Sequence, residues 1–180
     1  MNRAKWGIVA AALLLAGDAA AQGPWGMDGL TVVGADSWEG EAQMQRLALH
    51  WDLPRWSVWQ GSRWSFQPHL EFAVGQWEHR QRPQPGHDVG LTPVLRLARS
   101  GRTVPYVEAA VGAHLLSSPR IGGRDMSTSF QFGDLVGVGL RFGARANGEV
   151  GYRLIHFSNG GIKHPNPGIN FHMVRFGYWF

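Results

Sequence analysis

From about residue 30 onward, apolar residues recur with a period of two rather than 3.6, the spacing of strands with two unlike faces. In the last segment Val174, Phe176, Tyr178 and Phe180 fall on one face, and Met173, Arg175, Gly177 and Trp179 on the other. The same alternation runs upstream. Phe66, Leu70, Phe72 and Val74 oppose His69, Glu71 and Gly75; Val89, Leu91, Leu95 and Leu97 oppose Gly90, Thr92 and Arg96. Val107, Ala109, Val111, Ala113 and Leu115 oppose Glu108, Gly112 and His114. Phe130, Phe132, Val136, Val138, Leu140 and Phe142 oppose Gln131, Gly137, Gly139 and Arg141, and Val150, Tyr152 and Leu154 oppose Glu149, Gly151 and Arg153. The pattern predicts about eight strands, near 30–36, 43–52, 65–78, 87–98, 104–116, 128–142, 147–157 and 169–180. Connections 99–103 and 143–147 are tight, whereas 79–86, 117–127 and 158–168 are long; 53–64 is long where a short turn is expected.

Alternation alone fits either a soluble sandwich with its apolar face inward or a membrane barrel with that face outward. Three features favour the barrel. The charged face is rich in glycine and carries Glu71, Glu108 and Glu149 beside Arg96, Arg141, Arg153 and Arg175, a set that can fill a small barrel as ion pairs. Several strands are long enough to cross a bilayer when tilted. Trp51, Trp56, Trp59, Trp64 and Trp179 are expected at one rim as an aromatic girdle. The expected fold is therefore all-β, an eight-stranded antiparallel transmembrane β-barrel.

Composition sharpens this. Glycine is 25 of 180 residues and tryptophan 9, charged residues are only 17%, and there is no cysteine, so neither disulfides nor thiolate chemistry are available. Arg3 and Lys5, the apolar run Ile8–Ala16 and Ala19-Ala20-Ala21 read as a secretory signal peptide over 1–21, leaving 22–180 as the barrel domain. No later run is long enough for a helical membrane span. A terminal phenylalanine closing an alternating aromatic strand resembles the assembly signal of bacterial outer-membrane barrels. The net charge of +4 is too diffuse to argue for nucleic acid, and export argues against it. The histidines lack metal-ligand spacing, so no metal is expected.

Chemistry concentrates near the last long connection. His156 and Ser158, two apart on a strand, share the face of Val150, Tyr152 and Leu154, the face assigned to lipid. Polar groups there are costly, which marks a functional site. A histidine beside a serine is the minimal base–nucleophile pair for acyl transfer, and the Asn159-Gly160-Gly161 turn offers N–H groups for an oxyanion. Lys163, His164, Arg80, Arg82, His79, His87, Arg120 and Arg124 fall in the outer loops, where they suit phosphates or form a solvated basic rim.

The run His156-Phe157-Ser158-Asn159-Gly160-Gly161-Ile162-Lys163, followed by Pro165-Asn166-Pro167-Gly168-Ile169, resembles the C-terminal motif of the lipid A 3-O-deacylase family. The resemblance implies an eight-stranded barrel spanning the bacterial outer membrane, with a serine-hydrolase site on its lipid-facing wall and His156 as base, Ser158 as nucleophile, and Asn159 and the following glycines near the oxyanion. It implies lipid A or lipopolysaccharide as substrate, hydrolysis of the 3-hydroxyacyl ester at position 3 in the outer leaflet, no cofactor, and faintly a homodimer. The family carries a glutamate where this chain has Asn170, which orients a histidine without supplying charge. A carboxylate can come from elsewhere: the tight turn at 143–147 sets Asp134 directly opposite His156 or one diagonal step away, about 7–8 Å at most. The alternatives are a structural or lipid-binding outer-membrane barrel whose chemistry has lapsed at Asn170, and a soluble exported β-sandwich.

Overall fold

The structure, a computed structural model, describes residues 23–57, 59–61, 63–81, 85–121 and 123–180. The signal-peptide expectation for 1–21 and the loop residue Arg82 lie outside the described residues. Among the described residues eleven strands run in chain order: β1 Gly29–Ser37, β2 Ala42–Asp52, β3 Trp64–Phe66, β4 His69–His79, β5 Gly86–Arg99, β6 Val104–Leu116, β7 Arg120–Ile121, β8 Arg124–Asp125, β9 Phe130–Phe142, β10 Gly148–Ser158 and β11 Ile169–Trp179. Eight of them form a ring in the order β5-β4-β2-β1-β11-β10-β9-β6, closed by the β5–β6 pairing, and every pairing is antiparallel.

Each predicted segment lies within about two residues of an observed strand, with one split. The segment expected over 65–78 breaks at Gln67-Pro68 into β3 and β4, both of which pair with β5 in one continuous register, Trp64 with Arg99 and His69 with Val94. Gln67 still donates its N–H to the Arg96 carbonyl at 2.8 Å, but Pro68 has none to give, so the ladder is interrupted there. The small hairpin β7–β8 falls inside the long 117–129 connection.

The alternation resolves into wall and lumen. Val111, Val136 and Phe176 are 58% exposed on the outside, while Arg175 is 0% exposed inside. Ring strands of nine to fourteen residues are long enough to cross a bilayer when tilted. A closed ring leaves no unpaired edge, the condition for β-structure in lipid.

The lumen is filled, not open. Arg96 bonds Glu108 at 2.9 Å and Glu149 at 3.0 Å; Arg153 bonds Glu108 at 2.6 Å and Glu71 at 2.7 Å; Arg175 forms an ion pair with Glu149 at 3.0 Å. Toward the other end Arg46 bonds Asp88 at 2.8 Å beside His114. Glycines on this face make room for large neighbours: a Cβ on Gly139 would lie 2.2 Å from the Tyr106 hydroxyl.

Two expectations need correcting. Arg141 is not a member of the ion-pair network; its Nε donates to the Ala146 carbonyl at 3.0 Å and its guanidinium lies over the Trp179 ring at 4.6 Å. Trp179 is not part of a girdle. Four residues from Arg175 and so on the same face, it points into the lumen, is 2% exposed, donates Nε1–H to Glu149 at 2.6 Å and stacks on His50. Trp56, Trp59 and Trp64 do remain exposed beside the 53–64 connection.

Candidate active site

Ends of the barrel are distinguished by their connections. The ends of strands joined across β1–β2, β4–β5, β6–β9 and β10–β11 lie at one end, called the upper end; those joined across β2–β3, β5–β6 and β9–β10 lie at the other. At the upper end, three adjacent strands build a polar patch on the otherwise apolar wall. His156 on β10 pairs directly with Asp134 on β9 and with Asn170 on β11, so the three form one row. One step up, Ser158 pairs with Phe132; one step down, Leu154 lies between Val136 and His172. Strand parity puts Ser158, His156 and Leu154 on the same outward face.

The imidazole of His156 is held from two sides. Its Nδ1 is 2.8 Å from Asn170 Oδ1, so Nδ1–H donates there and Nε2 keeps its lone pair. Gly168, with φ of +62°, closes on the other side: a Cβ there would lie 2.4 Å from His156 Cε1. Only a glycine allows both that backbone conformation and that approach. Beside the ring is a cleft of about 250 Å³ bordered by Trp38, Asp134, Val136, Leu154 and Asn170, apolar below and polar above. Trp38 packs against His172 at 5.5 Å, and His172 bonds the Tyr152 hydroxyl. Among the described residues, Ser158 Oγ makes no hydrogen bond in this resting arrangement. Catalytic contacts are often loose before substrate arrives.

Following Ser158, the 159–168 loop is organised by buried Asn159. Its N–H donates to Asn166 Oδ1 at 3.0 Å, its amide nitrogen donates to the carbonyls of Lys163 at 2.7 Å and Met126 at 3.1 Å, and its Oδ1 accepts from Gly161 N–H at 2.9 Å. Of the donors expected to serve an oxyanion, those of Asn159 and Gly161 are therefore committed to the loop. The Gly160 N–H has no acceptor among the described residues. Gly160 and Gly161 both have positive φ, 64° and 81°, which turns the chain out of β10.

The β7–β8 region clamps this loop. Ser127 Oγ donates to the Pro165 carbonyl at 2.7 Å, and Arg124 donates to the Gly168 carbonyl at 3.0 Å while bonding Glu41 at 3.1 Å and Glu39 at 3.3 Å. Partial burial works against the Arg124 charge, but the two glutamates more than offset it and raise its pKa. Arg124 thus joins the 38–41 turn to the glycine that abuts His156.

Sequence reasoning placed His156, Ser158, Asn170 and Asp134 on one wall, and the fold brings His156, Asn170 and Asp134 into one row, with Ser158 a step above. It missed Trp38 and the roles of Gly168 and Arg124. The Pro-Gly step before β11 was a signal for Gly168; Arg124 had none, because its partners are more than forty positions away. Of the other loop cations, Arg80 pairs with Asp36 and Arg120 with Asp125. Although the histidines lack ligand spacing in sequence, the fold gathers His50, His69 and Glu71 within 4.8 Å in the lumen. Arg153 holds Glu71, and Arg175 lies 3.3 Å from His50, so the surrounding charge opposes a cation there.

A sequence model of the Lipid A 3-O-deacylase (PagL) family matches residues 43–179, from β2 through β11. The chain belongs to that family. Lipid A deacylase PagL of Pseudomonas aeruginosa is 36% identical over 126 residues, covering 69% of this chain and 70% of its own. The protein of the same name from Bordetella bronchiseptica is 33% identical over 140 residues, 76% of each chain. Among solved structures, the crystal structure of the outer membrane enzyme PagL superposes with a TM-score of 0.76 at 29% identity, covering 84% of this chain and 99% of that one. Family and closed barrel together replace the soluble-sandwich reading.

Proposed function

We propose that this protein is an outer-membrane esterase that removes the 3-hydroxyacyl chain from position 3 of lipid A in the outer leaflet, with Ser158 as nucleophile and His156 as general base. The observation that carries the reading is the oriented imidazole: a histidine whose Nδ1–H is bonded to Asn170 and whose Nε2 is free, beside a serine, on the lipid-facing wall. Family membership supplies the substrate class, and the upper end of the wall lies where the head of an outer-leaflet lipid would be.

In this mechanism Ser158 Oγ attacks the ester carbonyl carbon while His156 Nε2 takes the hydroxyl proton. Negative charge moves to the carbonyl oxygen, and Gly160 N–H is the donor available to it. Collapse breaks the bond between carbonyl carbon and sugar oxygen, and His156 returns the proton to that oxygen. Water then attacks the acyl-serine with His156 again as base, releasing the hydroxy fatty acid and regenerating Ser158. The acyl chain lies down the apolar wall past Leu154 and Val136. No step calls on a cofactor.

Asn170 fixes the tautomer of His156 but adds no charge to balance the imidazolium. Asp134 pairs with His156 from β9, and this reading assigns it that charge. The test is mass spectrometry of lipid A from cells expressing wild-type protein, Ser158→Ala or His156→Asn. The expected result is loss of one hydroxyacyl group only with the wild type, while all three chains fold, as judged by faster gel migration before heating. Unchanged lipid A with folded wild-type protein would leave the lipid-binding barrel as the reading.

A further inference from the structure

The two clamped loops border a second space, open to the outside. A crevice of about 460 Å³ lies between the 117–129 and 159–168 loops, bordered by Arg120, Asp125, Lys163 and His164 together with Ser118 and Ser127. Its charge is not neutralised. Arg80 and Arg124, the other paired cations of this rim, are answered by Asp36 and by Glu39 and Glu41. Arg120 has Asp125 at 3.4 Å, an exposed pair of small energetic consequence. Lys163 and His164 have no anionic partner among the described residues.

This crevice is fixed relative to the chemistry. The Asn159 amide bonds both the Lys163 carbonyl and the Met126 carbonyl, so the residue next to Ser158 pins both walls. Ser127 bonds Pro165 across the same gap. A preformed gap with converging donors and unmatched positive charge fits a phosphate group.

We propose that Lys163 and His164, with Arg120, form an anion subsite for a phosphate monoester on the sugar of the substrate, and that this contact sets the sugar so that one acyl ester reaches Ser158. The proposal rests on the esterase reading above and names a recognition element of the same site. Asp125 narrows the ligand: it repels a second negative charge at the Arg120 side, so the subsite takes one phosphate.

The experiment compares purified wild-type protein in mixed micelles with two substrates, bisphosphorylated lipid A and the same lipid A after enzymatic dephosphorylation. The readout is the ratio of kcat/KM for the two. The wild type is expected to favour the phosphorylated substrate. In Lys163→Ala/His164→Gln, with or without Arg120→Ala, that ratio should fall at least tenfold, chiefly through KM. Arg102→Ala, an exposed cation in the opposite turn, should leave the ratio unchanged. If the double variant does not migrate as a folded barrel, Lys163→Gln alone is read in the same way, with a smaller fall expected. A ratio that is the same in wild type and variants overturns the subsite, as does an equal fall in Arg102→Ala, which would make it a surface-charge effect. Inhibition by inorganic phosphate beyond that of sodium chloride at equal ionic strength, with no wild-type preference between the two lipids, would assign the crevice to free phosphate and overturn the substrate contact. Failure of the esterase reading looks different: neither substrate would release fatty acid in a Ser158-dependent way.

Discussion

The lumen and the upper edge of the β9–β10–β11 wall both place polar groups where a barrel of this size could have used apolar ones, and they differ in how those groups are answered. In the lumen, Glu71, Glu108 and Glu149 meet Arg96, Arg153 and Arg175 at bonding distance, and all six side chains are buried. Every charge in that set has an opposite charge beside it, so the set is committed to holding the barrel. On the wall, His156 is bonded through one nitrogen only, and Ser158 and the Gly160 N–H have no partner among the described residues. Buried charges paired with their opposites hold the fold together; a histidine bonded on one side only, on an outward face, keeps a nitrogen free to react.

Variants can break this contrast in order of expected size. Ser158→Ala should lower ester hydrolysis on the order of 10⁴-fold or more, with unchanged resistance to denaturant. Glu108→Gln should do the reverse. It leaves Arg96 and Arg153 short of a charge, which typically costs about 3–5 kcal/mol of stability, while the folded fraction keeps its turnover; guanidinium unfolding in vesicles and an ester assay on the same samples check both halves. Gly168→Ala forces a methyl into the His156 ring, and a displacement of that kind costs about 10²-fold in rate. The smallest effect belongs to Asp134→Asn, about tenfold in kcat, equivalent to roughly 1.4 kcal/mol of transition-state stabilisation. Asn170→Glu should preserve or raise activity and make Asp134→Asn silent. Equal losses from Asp134→Asn in both backgrounds would remove Asp134 from the charge balance.

Much of this was legible in the sequence because a strand has the simplest of periods. Two-residue alternation assigned Arg175 inward and Phe176 outward, and the tight 143–147 turn set Asp134 opposite His156 within one diagonal step. Register is a local matter once a turn is short, so arithmetic on residue numbers suffices. What alternation cannot report is the third dimension of a closed ring. Arg124 reaches Glu41 and Gly168 from distant parts of the chain, and the Asn159 amide is used to tie two loops. Trp179 was misplaced for a different reason: grouping tryptophans by type as a rim girdle overrode the parity that put it beside Arg175. The Pro68 break was visible in composition but hidden inside an apolar run.

The row Asp134–His156–Asn170 opens sideways through the wall rather than upward into solution. Under the function proposed above, its reactant is confined to a sheet, and encounter becomes a planar search. Turnover should follow the mole fraction of substrate among the surrounding lipids, not its amount per volume. Diluting the leaflet with an inert detergent at fixed total substrate should slow the reaction, and adding buffer should not.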